Sequence, residues 1–187
     1  MASSAPKEAR YEDLFELPPH VVGEIVFGVL HTHPRPAPRH AQAASTLGEE
    51  LGPPFKRGRG GPGGWLILDE PELHLGKHVL VPDLAGWRRE RMPELPIDVP
   101  YFTVVPDWVC EVLSPGTAAL DRGDKLTVYR TQRVPYVWLV DPEAKTLEVL
   151  ELSGDRYTLR EVFTGEAACR AVPFDAFELE LGLLWLR

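Results

Sequence analysis

Cysteine is nearly absent from this chain: Cys110 and Cys169 are the two it has. Two widely separated thiols exclude a disulfide framework and offer no paired thiolate spacing for a metal. Long apolar runs are missing too. The cleanest, residues 136–140, is strand-sized and far below the roughly 18 residues of a membrane span. The opening MASSAPKEARYEDLF holds no apolar segment of the kind that directs secretion. The expectation is a cytoplasmic protein that makes no membrane contact.

Positive charge is also scarce. Twenty Lys and Arg face 28 Asp and Glu, for a formal net charge of −8. That balance argues against a generic polyanion binder without excluding one, because charge is unevenly spread. From residue 141 onward there are ten acids and five bases, so the tail carries most of the excess. Bases gather instead at Lys56, Arg57 and Arg59 and at Arg88 and Arg89, which are the candidate nucleic-acid contacts. Solvated loop charge is the plainer explanation of either cluster. The glycine-rich stretch 58–64 lacks the Gly-Lys-Ser/Thr of a phosphate-binding loop, and no other motif calls for an organic cofactor.

What is present suits one domain over residues 1–187, since 44% hydrophobic residues suffice for a sizeable core. Residues 1–20 read as an N-terminal arm with a short amphipathic turn at 11–17, closed by Pro18-Pro19. Residues 21–33 read as one strand bent at Gly28, and 40–51 as a helix stopped by Gly52-Pro53-Pro54. Short strands are expected at 65–68, 78–81 and 85–87, then a proline-punctuated connection over 92–106. Residues 107–113 form a strand with Trp108, Cys110 and Val112 on one face and Val109, Glu111 and Leu113 on the other. A helix at 121–133 and the apolar strand 136–140 follow, giving a βαβ unit with parallel strands. Residues 146–163 read as a hairpin inside a C-terminal β-hairpin extension, 141–187. The fold class is α/β or α+β, with a central mixed sheet flanked by helices.

One group of residues stands out chemically. Glu111 projects from an apolar strand, where a carboxylate is costly unless paired, protonated or metal-bound. Asp83 follows Pro82 at the end of the apolar 78–81 stretch. Lys125 lies on the following helix, with Asp121 and Tyr129 four residues to either side on one face. Two carboxylates at adjacent strand ends suit a hard divalent cation, which takes oxygen ligands and keeps several waters. A lysine beside them can orient or deprotonate water and stabilise charge developing on phosphorus.

These residues resemble a known family. Val81-Pro82-Asp83, then Cys110-Glu-Val-Leu-Ser-Pro115, then Asp121-Arg-Gly-Asp-Lys125 with Tyr129, then Tyr136-Val-Trp-Leu-Val-Asp-Pro142 are similar to the Uma2 family of the PD-(D/E)XK nuclease superfamily. Glu24-Ile-Val-Phe-Gly28 matches that family's early Glu…Gly element, and His40 the histidine opening its first long helix. The resemblance runs over roughly residues 11–157. It implies a restriction-endonuclease-like fold, a homodimer, and cleavage of DNA with Mg2+ (or Mn2+). It implies that Asp83 and Glu111 ligate the metal, that the Val112 carbonyl adds an oxygen, and that Lys125 is the catalytic lysine. Glu24 becomes a helper acid, with His40, Asp121 and Tyr129 as further helpers. Two departures stand out: Leu113 occupies the usual lysine position, two residues after the glutamate, and Phe27 replaces a frequent Asp.

Each residue also has a structural reading. Glu111 could be a core acid paired with Lys125, and Asp83 a turn residue after proline. Lys125 could be a solvated helix lysine, Glu24 a structural acid and His40 a helix-start residue. His31, His33, His74 and His78 lack companions at zinc-ligand spacing, and Cys110 is expected to be inert in an apolar strand. The rival functions are a catalytically idle nuclease-fold protein binding nucleic acid or a protein partner, and a hydrolase acting on a smaller phosphodiester.

Overall fold

The Phe27-Gly28 pair turns what the sequence suggests is one bent strand into a tight hairpin. Both residues have positive φ (51° and 76°), the conformation of a two-residue primed turn whose twist matches that of the flanking strands. The computed structural model describes residues 8–185. Residues 1–7 of the expected arm and the final two residues of the C-terminal stretch lie outside the described residues. The arm contributes a short helix, α1 (Tyr11–Leu14). The hairpin strands are β1 (Val21–Val26) and β2 (Val29–Pro34), paired antiparallel from Val26↔Val29 to Val21↔Pro34.

Helix α2 (Pro38–Leu51) starts with proline in its first turn, where a missing N–H costs nothing. It buries Ala43, Leu47 and Leu51, one face at four-residue spacing. Pro53 and Pro54 cannot continue the α ladder, and the chain leaves through a π-helical turn, Gly52–Lys56. Then come β3 (Trp65–Asp69), β4 (Leu73–Leu75), β5 (His78–Leu80) and β6 (Leu84–Arg88). The sequence showed no strand at β4, because three residues carry too short a pattern to read. After the proline-rich connection comes β7 (Trp108–Val112), buried along its whole length.

The expected helix begins earlier, with α3 (Ala118–Leu120). It passes through a π-helical turn, Asp121–Lys125, into α4 (Leu126–Thr131). Strand β8 (Tyr136–Asp141) follows, then the hairpin β9 (Thr146–Ser153) and β10 (Arg156–Thr164), then the small pair β11 (Ala168–Cys169) and β12 (Leu179–Glu180).

The strands build a mixed six-stranded sheet, β10-β9-β8-β7-β6-β3, and a four-stranded sheet, β2-β1-β5-β4. As expected, β7 and β8 are parallel, from Trp108↔Tyr136 to Val112↔Val140. Trp108, Cys110 and Val112 pack with α2, while Val109 and Leu113 pack with Val128 and Tyr129, so both predicted faces of β7 are buried. Gly86 lets this happen: a Cβ there would come within 3.1 Å of the Trp108 ring and 3.3 Å of Trp65.

The C-terminal stretch differs from an appended hairpin. β9 and β10 complete the central sheet, and Phe174, Leu181 and Leu184 enter its core. Trp138 is tied to the same stretch, its indole N–H donating to the Val172 carbonyl at 2.7 Å.

Candidate active site

Four elements converge where the two sheets meet. β7 ends at Val112, directly opposite the turn that places Asp83 before β6. The Val112 N–H donates to Asp83 Oδ2 at 2.7 Å. The next amide, Leu113 N–H, donates to the Val140 carbonyl on the other side of the strand. Within a strand, N–H and C=O of one residue point the same way, so the Val112 carbonyl lies on the Asp83 side. One residue back, Glu111 points to the opposite face of the sheet, towards the helix that follows β7.

Lys125 comes down from that helix. Its Nζ lies 2.8 Å from Glu111 Oε1, 2.9 Å from Glu24 Oε1 and 3.5 Å from Asp121 Oδ1. Lys125 and Glu111 are each 2% exposed and Glu24 1%, so this ion network is shielded from solvent. Tyr129, one turn on, donates its hydroxyl to Glu111 Oε1 at 2.5 Å. Glu24 reaches in from β1 of the smaller sheet and accepts the Val81 N–H at 2.8 Å. The π-helical turn ends at Lys125; such turns are rare and recur at functional sites.

Two histidines sit around this network. His40 Nε2, from the first turn of α2, is 3.1 Å from Asp83 Oδ1. His33 Nε2 is 3.5 Å from Glu24 Oε2. In the β1–β2 register His33 is the diagonal neighbour of Glu24, a pairing visible only once the Phe27-Gly28 turn is known. All of these side chains except Tyr129 line one cavity of about 280 Å3.

The electrostatics follow from burial and crowding. Burial alone would lower the Lys125 ammonium, but Glu111 and then Glu24 outweigh it and hold it well above the ordinary lysine value. Burial pushes the Glu111 carboxyl well above the usual carboxylate range; Lys125 opposes this, and Asp121, Asp83 and Glu24 add to it. Glu24, although burial also acts to raise it, is brought down to about 2 by Lys125, His33 and the Val81 N–H. Asp121 is raised, chiefly by burial. One ammonium cannot neutralise three carboxylates. Lys125 is shared by Glu111 and Glu24, and the cluster as a whole is short of positive charge.

That deficit suits a cation. Among the described residues no three His, Cys, Asp or Glu side chains converge as a ready-made metal cage. A hard dication needs less from the protein: two carboxylates, a main-chain carbonyl and water. Asp83, Glu111 and the Val112 carbonyl are oxygen donors near the C-terminal end of the interior strand β7, and the local charge is negative. The residues fit such an ion.

Other candidates lie elsewhere. Lys56, Arg57 and Arg59 follow α2, Arg88 ends β6 and Arg89 comes directly after it, whereas Asp83 precedes that strand; none of the five lines the cavity. Burial pushes the Cys110 thiol well above its ordinary value, against nucleophilic use. His74 stacks on Tyr101, and His78 Nδ1 accepts the Phe27 N–H at 3.1 Å.

The mixed sheet thus carries Glu111 on its interior strand β7 and Asp83 just before β6, with Lys125 supplied by the helical segment that follows β7. The chain is similar to a solved structure from Anabaena variabilis ATCC 29413 described as "a putative nuclease belonging to DUF820". The two share 23% identity and a TM-score of 0.74, over 92% of this chain and 95% of that one. At that identity the likeness establishes the fold. No curated protein matches the chain. The Uma2 family, described as "Putative restriction endonuclease", matches residues 10–182, and the chain belongs to it.

Proposed function

We propose that this protein is a divalent-metal-dependent endonuclease that hydrolyses DNA phosphodiester bonds at the cavity between the two sheets. The observation that carries this reading is the buried Lys125 ammonium, held between Glu24 and Glu111 on the wall that Asp83 also lines. A lysine with purely solvent duties would not be sunk among carboxylates at such a cost in desolvation.

Asp83, Glu111 and the Val112 carbonyl would hold Mg2+ or Mn2+. When bound, the ion supplies Lewis-acid polarisation of a phosphoryl oxygen and lowers the pKa of water. The chain's own residues do the rest. Lys125, kept protonated by its neighbours, acts as a fixed positive charge rather than a base and stabilises the extra negative charge on the phosphorane-like transition state. Glu24 and Asp121 aim that ammonium. Tyr129 holds Glu111, and His40 holds Asp83. Severing both strands of a duplex with one site per chain calls for two copies, so double-strand cutting goes with a homodimer.

A second reading has an observation of its own. Glu111 Oε1 already accepts from both Tyr129 and Lys125, which is also how a purely structural acid would be satisfied. On that reading the protein is an idle nuclease fold that binds nucleic acid or a protein partner. Nicking of supercoiled plasmid with Mg2+, Mn2+ or EDTA decides between them. The nuclease reading expects metal-dependent nicking by the wild type and its loss in Glu111→Ala. Intact duplex binding with no nicking under any metal would hand the case to the second reading.

A further inference from the structure

The basic residues that do not line the cavity occupy one end of the molecule. Trp65, which opens β3, pairs with Arg88, which closes β6. The glycine-rich loop 57–64 lies against the same end: Arg59 N–H donates to the Pro53 carbonyl, Gly63 N–H to Pro54, and Arg89 N–H to Gly64. Lys56, Arg57, Arg59, Arg88 and Arg89 are therefore neighbours around this loop, and all are exposed. The Arg88 guanidinium is laid over the Trp65 ring, 4.7 Å from its centroid. The loop glycines at 58, 60, 63 and 64 have φ between +65° and +84°, and nothing stands within 4 Å of a Cβ built on Gly60 or Gly64. Main chain without side chains can approach a phosphate closely. In a chain of net charge −8, this concentration of cations makes one pole attractive to a polyanion.

A surface path joins this pole to the active site along α2. The depression containing Lys56 and Arg57 shares Ser45 and Asp69 with a second one. That second depression shares His40, Glu70 and Asp83 with the catalytic cavity. Asp69 and Glu70 repel phosphate along the way, so anion contact resumes only at Lys56. Asp83 stands just before β6 and Arg88 closes it, so their main chains lie about 16 Å apart at roughly 3.3 Å per residue.

We infer that the pole formed by Lys56, Arg57, Arg59, Arg88, Arg89 and the glycine loop grips the nucleic-acid backbone at a distance from the phosphate being cut. The inference rests on the nuclease reading for the cutting, but not for the binding. The pole touches phosphates without reading bases, so it sets affinity and minimum substrate length.

The test replaces Lys56, Arg57, Arg59 and Arg89 by alanine together, and separately as the pairs Lys56/Arg57 and Arg59/Arg89. Arg88 is left in place because its guanidinium packs on Trp65. Fluorescence anisotropy on a 24-base-pair duplex is run in EDTA, where cutting is silent, across a salt series. For every phosphate that is no longer neutralised, the slope of log K against log salt flattens by about 0.9. The quadruple variant is expected to flatten it by two or more and to weaken binding at least tenfold near 0.1 M salt. With Mn2+, the ratio of duplex cleavage to bis(p-nitrophenyl) phosphate hydrolysis should fall in the same variant. Wild type should also discriminate against duplexes too short to reach the pole. Unchanged affinity and slope would overturn the inference, as would a changed oligomeric state with DNA affinity intact. Failure of the wild type to hydrolyse either substrate would sink the nuclease reading, while the anisotropy arm would still decide the pole.

Discussion

Lys125 Nζ lies 2.8 Å from Glu111 Oε1, with both side chains only 2% exposed. A buried pair like this is held by its partners on every side, so deleting one member also strands the charges around it.

Lys125→Ala is therefore expected to act twice. Cleavage should fall by about 10²–10⁴-fold, the usual range for removal of a proton-handling or charge-stabilising group. The metal-free protein should also lose about 3–5 kcal/mol, because Glu24 and Glu111 stay buried without their cation. Urea melts in EDTA measure the second effect. A fully stable variant that cuts at the wild-type rate would remove the lysine from both roles.

Glu24 supplies the pH dependence. Its folded carboxyl sits at about 2, against an ordinary 4.5. A depressed carboxyl stabilises the fold above the unfolded value, and that stability is lost as pH falls through the folded one. Glu24→Gln should thus be less stable than wild type at pH 7. The gap should close between about pH 4.5 and 2. Thermal melts of both proteins over that window check it, and a gap independent of pH would refute the pairing with Lys125.

Glu111→Gln should move stability the other way. Burial holds the Glu111 carboxyl well above the usual carboxylate range, so its ionised form costs stability, and an amide of the same shape removes that cost while still accepting from Tyr129 and Lys125. In EDTA the variant should melt higher than wild type. Addition of Mn2+ should raise the melting temperature of wild type only, since the variant loses a metal ligand. Equal Mn2+ shifts in both would take Glu111 out of the metal site.

His40→Ala tests a positioning residue. His40 Nε2 holds Asp83 Oδ1 at 3.1 Å, and partners of metal ligands typically change metal affinity by about 10–100-fold. Calorimetric titration with Mn2+ should show that loss with the fold intact. Rescue of cleavage by high Mn2+ would separate weakened metal binding from a direct part in the chemistry.

Much of this site was legible in the chain itself. Glu111 declared itself because alternation along residues 107–113 places a carboxylate among apolar neighbours, and Lys125 because Asp121 and Tyr129 share its helical face. The parallel pairing of β7 with β8 followed from the length of the connection and the apolar run at 136–140. These are local periodicities, and local periodicity survives in sequence.

Pairings between distant segments were not legible. Phe27-Gly28 is not among the common turn pairs, so the hairpin that brings His33 beside Glu24 was hidden. The C-terminal stretch was expected as a hairpin extension, yet β9 and β10 join the central sheet and Phe174 and Leu181 enter its core. The basic clusters, well separated in the chain, became neighbours only when β3 paired with β6. Asp83, Glu111 and Lys125 were candidates from composition and spacing, whereas Glu24, His40 and the Val112 carbonyl came from the family resemblance. Which of them come into contact or share a surface was decided by packing, since long-range pairing depends on shape that no short window of sequence contains.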